Sequence, residues 1–199
     1  MNDLALFTPI NNLDAQANLN EFIRFSREDL SVFGVDLDFD SNSWDVTKWV
    51  NLKAKKSNVN YVFSDFKSGS NVNRKNPSIL KEPYLSFAKA YVRYTYGLRP
   101  AKNSSSRLIV LRVLCEALME FGSINPILIN QDIANRACQL IVENYSASLA
   151  YRLGIQMEIL IELLSAHKLI NNPFQWRNPI KRPTDTQRIG EEADKKMVG

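Results

Sequence analysis

Residues 104–183 read SSSRLIVLRVLCEALMEFGSINPILINQDIANRACQLIVENYSASLAYRLGIQMEILIELLSAHKLINNPFQWRNPIKRP. Three runs in this stretch repeat apolar residues at helical spacing. Leu108, Leu111, Cys115 and Leu118 form one stripe, and Ile133, Ala137, Leu140 and Ile141 a second. Leu149, Leu153, Met157, Leu160 and Leu164 form a third. The predicted helices cover about 105–121, 131–144 and 148–168. The last carries a second apolar line, Ile155, Ile159 and Leu163, and is therefore expected at the centre of its assembly. The stretch leaves through Asn171-Asn172-Pro173-Phe174-Gln175-Trp176-Arg177-Asn178-Pro179-Ile180-Lys181-Arg182-Pro183. Its prolines fix φ and lack an N–H, so an extended strap is expected, with Phe174 and Trp176 folded back as anchors.

Upstream, a further helix over about 79–96 places Leu85, Ala88, Val92 and Tyr96 on one side and Lys89 and Arg93 on the other, before Gly97, Arg99 and Pro100 break it. The turn-rich Ser68–Pro77 segment reads as a linker. Before it, residues 1–18 are expected as a poorly ordered lead-in and residues 19–33 as a short helix stopped by Gly34. Strands are predicted at Val35–Asp40 and Val59–Phe63, with Lys53, Lys55 and Lys56 between them. The expected fold is mainly α: a four-helix bundle preceded by a small α+β module. Its divisions are 1–78, 79–172 and a basic, proline-rich tether at 173–199. Helical character resumes at Glu191–Lys196, an ending expected of a piece of a longer protein.

A hydrophobic fraction of 45% against 23% charged is that of a globular chain. No apolar run approaches the ~20 residues of a membrane span, and Met1-Asn2-Asp3 does not open a signal peptide. Cys115 and Cys138 sit inside apolar patterns and are expected as free buried thiols in a reducing cytoplasm. Charge is uneven. Residues 1–78 hold 9 basic and 10 acidic side chains, residues 79–199 hold 16 and 11. A basic half points to a polyanionic partner.

Catalytic chemistry finds no footing. Asp36, Asp38 and Asp40 open like a calcium loop, but Ser41 stands where the turn needs Gly and Thr47 where a bidentate Glu belongs. His167 is the single histidine and reads as a surface or boundary residue. It cannot complete a zinc site with Cys115 and Cys138, and no Gly-rich phosphate loop occurs. Glu158 and Glu162 share a helix face at the spacing of a solvated stripe. No catalytic residue, metal or cofactor is expected. What remains is a basic set at helix starts and in loops, where guanidinium and backbone N–H groups reach phosphates together. On residue types alone this set is either a polyanion surface or a solvated basic one.

Four segments sharpen that choice: Phe87-Ala88-Lys89-Ala90-Tyr91-Val92-Arg93-Tyr94, Arg107-Leu108-Ile109-Val110-Leu111-Arg112, Ala150-Tyr151-Arg152-Leu153-Gly154, and Trp176-Arg177-Asn178-Pro179 with Arg182-Pro183. Over about residues 80–190 they resemble the N-terminal half of bacterial tyrosine recombinases, the phage-integrase family. The resemblance implies a helical, SAM-like core-binding domain that clamps duplex DNA, joined by a basic linker to a catalytic domain beyond Gly199. It implies double-stranded DNA and other recombinase subunits as partners. By position it implicates Arg107, Arg112, Ser148, Arg152, Arg177, Lys181 and Arg182, to which the helix face at Lys89 and Arg93 is added. A non-catalytic, DNA-binding region of a site-specific recombinase is thus the leading expectation, neutralising ~6–10 phosphates. Its rivals are a helical protein–protein interaction module without nucleic-acid binding and an enzyme with an unrecognised site.

Overall fold

The structure, a computed structural model, describes residues 6–29, 37–47, 60–65, 78–98 and 105–197. Within them the chain is mainly helical. Helix α1 (Ala15–Arg24) runs into a π-helical turn (Phe25–Asp29). Strands β1 (Ser43–Asp45) and β2 (Asn60–Val62) precede α2 (Tyr84–Leu98), α3 (Ser105–Glu120), a 3-10 turn (Pro126–Leu128), α4 (Gln131–Asn144), α5 (Ala147–Ala166) and α6 (Asp185–Met197).

Helix α1 starts upstream of the predicted Leu19, because the Asp14 carboxylate accepts from the Ala17 N–H at 2.8 Å and caps it. The described part of the expected lead-in, from Leu6 on, is packed instead. Phe7 is buried edge-on to Phe22, with ring centres 5.3 Å apart. The buried Asn18 carboxamide accepts from the Ile10 N–H at 2.9 Å and donates to the Ile10 and Leu13 carbonyls, both at 3.3 Å. Such local Asn–backbone bonds fix a segment that composition alone marks as loose.

The predicted strand at Val35–Asp40 is not found where it is described. Residues 37–40 form no strand, since the Asp38 carboxylate accepts from the Asp40 N–H at 3.0 Å and turns the chain. Pairing moves to β1, antiparallel to β2 with Trp44 opposite Tyr61 and both rings buried. The second predicted strand contains β2. The predicted end of the first helix at Phe33, the Lys53–Lys56 cluster and the Ser68–Pro77 linker lie outside the described residues.

Helix α2, rather than α5, is the enclosed one. From Tyr84 to Tyr96 every side chain is buried except the half-buried Ser86. The side predicted to be wet is covered by the N-terminal elements: the Ser26 hydroxyl donates to the Ala90 carbonyl at 2.9 Å. On another side the Tyr84 hydroxyl donates to the Leu111 carbonyl of α3 at 2.7 Å. Helix α5 buries one stripe, Ala150, Leu153, Met157, Leu160, Ile161 and Leu164, and exposes Ile159. The core also spans residue 78. Phe7, Leu19, Phe22, Trp44 and Phe63 share it with α2–α5, and the Leu80 N–H donates to the Phe63 carbonyl at 2.9 Å. Both cysteines are buried and free, with burial pushing the Cys115 thiol up to about 12. Among the described residues no helix is long and apolar enough to cross a membrane.

Arg112 fastens this arrangement. Its guanidinium lies in the core, 9% exposed. There Nε donates to the Ser64 carbonyl at 2.9 Å and Nη2 to the Val62 carbonyl at 2.8 Å and the Ser64 hydroxyl at 2.9 Å. Burial lowers its pKa to about 10, which leaves it charged at neutral pH. Arg112→Leu keeps the volume but strands two buried carbonyls. It is expected to lower stability by about 2–4 kcal/mol, read as the urea midpoint, and Arg112→Lys to recover only part of that.

Candidate functional site

Three helix directions decide which cations meet. Arg136, early in α4, donates to Glu120 at the end of α3, with Nη2 3.1 Å from Oε1, and Arg112 lies within electrostatic reach of Tyr145 just past α4. Helix α4 therefore runs back along α3. The Trp176 indole N–H donates to Asn135 of α4 at 3.1 Å, while neighbouring Arg177 pairs with Glu158 of α5 at 2.7 Å. The start of α4 is thus level with the later half of α5. The first turn of α5 consequently lies about level with the middle of α3, near Arg112, toward the end at which α3 starts.

The strap runs antiparallel to α5 and returns toward that same end. The Ser165 hydroxyl donates to the Phe174 carbonyl at 2.8 Å. Glu158 accepts from the Asn178 N–H at 3.0 Å and from Arg177. These donors, the Asn178 amide first, hold its carboxyl below the ordinary carboxylate range. The Asn178 side-chain amide donates to the Tyr151 carbonyl at 3.2 Å. Glu191 of α6 then accepts from the Ser148 N–H at 3.2 Å. Gly154 makes the close approach possible, since a methyl group there would overlap the Asn178 carboxamide.

The nine predicted contact residues separate into distinct environments. Lys89, Arg93 and Arg112 are inside, at 5%, 8% and 9% exposure, and do not face solvent as expected. Lys89 Nζ donates to the Asp40 carbonyl at 3.2 Å beside the Phe39 ring. These three serve the fold because the ribbon and the N-terminal segment cover the sides of α2 and α3 that carry them. Arg177 is exposed but tied to Glu158. Four cations of the predicted set remain, on α3, α5 and the strap. Arg107, in the first turn of α3, is half-buried 4.5 Å over the Tyr96 ring, and its Nη1 is buried without a hydrogen-bond partner among the described residues. Arg152 is exposed, and among the described residues its bond is to the Ser148 carbonyl, at 3.3 Å. Lys181 and Arg182 are exposed, and among the described residues no carboxylate lies within ion-pair distance of either. Ser148, on α5, has its hydroxyl oxygen buried without a partner among the described residues.

Sequence reasoning missed Asn178 and Glu158 as the residues that seat the strap. Their signal was Gly154, an isolated glycine inside an apolar helix pattern, which marks a backbone that something approaches closely. Among the described residues no group of three or more His, Cys, Asp or Glu gathers as a metal site. Of the calcium-like trio, Asp36 lies outside the described residues, Asp38 turns the chain and Asp40 holds Arg27 at 2.6 Å. Compared with known protein families, with curated proteins and with solved structures, the chain matches none.

His167, expected at the surface or boundary, is a half-buried cap on α5. Its ring lies 5.5 Å from Phe7, 5.7 Å from Tyr94 and stacked 6.3 Å from Phe22. Burial depresses its pKa. A depressed folded value means stability that is present above the unfolded value of about 6.5 and lost as pH falls through the folded one. The urea midpoint is expected to fall between pH 7.5 and 5. His167→Leu should remove the part of that fall lying below pH 6.5; an identical profile in the variant would show that the imidazole contributes none of it.

Proposed function

We propose that this chain binds duplex DNA as the non-catalytic, N-terminal region of a tyrosine-type site-specific recombinase. Helices α2–α5 serve as its core-binding bundle and the strap as its linker in a cytoplasmic assembly with further recombinase subunits. One observation carries the reading. Arg107 in the first turn of α3, Arg152 in the second turn of α5, and Lys181 and Arg182 on the strap have no carboxylate within ion-pair distance among the described residues, and the strap is seated on the early part of α5 through Asn178 and Tyr151. Cations with no carboxylate at ion-pair distance among the described residues, on an anchored scaffold, suit a phosphate backbone, whose contacts position a protein without reading sequence. Buried Lys89, Arg93 and Arg112 have no part in this surface, and Arg136 is consumed by Glu120 and Glu143.

The smaller set also fixes a smaller salt dependence than residue types alone suggested. Three or four neutralised phosphates make affinity fall about 40- to 150-fold between 50 and 200 mM salt. Titration of the chain against duplex DNA at both ionic strengths checks this. Salt-insensitive binding, or none at micromolar protein, would overturn the reading. Arg152→Glu and Arg182→Glu should each reduce the salt slope by about one with the fold intact by circular dichroism, whereas Arg136→Gln should leave the slope unchanged. Gly154→Ala, which unseats Asn178, should weaken binding while leaving the apolar core in place, and should speed amide exchange across 177–183.

A further inference from the structure

Helix α5 begins without its own cap. Ser146 stands at the N-cap position but makes no side-chain capping bond. Among the described residues the buried Ser148 hydroxyl oxygen has no partner, and the Ser148 N–H donates to a carboxylate 43 residues further on, that of Glu191. The positive end of a helix dipole and the neighbouring Arg152 both favour an anion there. The negative charge comes from a helix that is otherwise wet: from Asp185 to Gly190 every residue of α6 is exposed, and Ile189 is 67% exposed. Within this turn Arg188 is held at 3.2 Å by Asp185 of its own helix. The described part of α6 therefore rests on the molecule chiefly through an acid laid against the basic end.

We propose that α6 is an acidic latch over the basic end, with Glu191 neutralising it in the DNA-free protein and duplex DNA displacing the helix. The inference rests on the DNA-binding reading above. Phosphates and the Glu191 carboxylate compete for one positive field, so the two bindings oppose each other by the same factor in each direction. Lys181 and Arg182 lie between the anchored Asn178 and the start of α6, so release of α6 frees their carrier segment while Asn178 keeps its place on α5.

Glu191→Gln in the full chain, titrated with duplex DNA at 50 mM salt, is expected to tighten binding about two- to fivefold. Asp132→Asn makes the same charge change at the opposite end of the molecule, beyond a screening length, and should leave affinity within about 1.5-fold. Equal effects of the two substitutions would sink the latch and leave the DNA reading standing. Absence of binding in the parent chain and both variants would sink the DNA reading and the latch with it. Amide exchange supplies the second readout. Duplex DNA should speed exchange across residues 185–197, and added protection there would make α6 part of the interface and overturn the proposal.

Discussion

A helix enclosed on every side must satisfy all of its polar groups from within the protein, and α2 is under that constraint along Tyr84–Tyr96. Its Lys89 ammonium reaches back to a carbonyl at Asp40, its Thr95 hydroxyl donates to the Tyr91 carbonyl of its own turn, and its Ala90 carbonyl accepts from Ser26. The Lys89 and Ala90 bonds pull in distant parts of the chain, 49 and 64 residues away. The N-terminal segment, the two-stranded ribbon and α3 are arranged around α2 because leaving any of those groups dry and unpaired costs about 1–3 kcal/mol each. Arg112 extends the rule to α3, where one guanidinium satisfies the end of β2.

The cations consequently fall into three populations that formal charge does not distinguish. Some hold the fold together through backbone oxygens. Others, Arg136 and Arg177, are absorbed by carboxylates between helices or between helix and strap. A third group, Arg107, Arg152, Lys181 and Arg182, has no carboxylate within ion-pair distance among the described residues, and two chain reversals bring the start of α5 back toward the end at which α3 begins. A net charge of +4 thus understates the positive character of one end and overstates that of the rest.

Much of the helical framework was legible. The stripe Ile133, Ala137, Leu140 and Ile141 with Asn130 ahead of it placed α4 at its observed limits, Gln131–Asn144, and the Asn130 side chain accepts from both Asp132 and Ile133 N–H groups. Single-stripe helices with a local cap carry their own description. The polar side of α2 was misread because its partners lie far away in the chain: Lys89 meets Asp40, 49 residues earlier, and no local periodicity encodes that. A clue was present in Phe87 and Tyr94, which stand opposite Leu85 and leave no side of the helix free of large apolar groups. Among the site residues, Lys181 and Arg182 were legible as exposed cations because Pro179 and Pro183 keep their segment extended, and Arg152 because it falls off the apolar stripe of α5. The seating of that segment on α5 was hidden in a single glycine.

The antiparallel course of the strap along α5 has a mechanical consequence. Its attachments to the body lie in order along the helix: Glu191 on Ser148, Asn178 on Tyr151 and Glu158, Trp176 on Asn135, then Phe174 on Ser165. A load directed away from the surface of α5 meets them one at a time, as tape is peeled from an edge, whereas a load along the helix axis would shear them together. Peeled, the wrap yields in steps, each leaving the helices behind it undisturbed, so its free length can grow by discrete increments under tension.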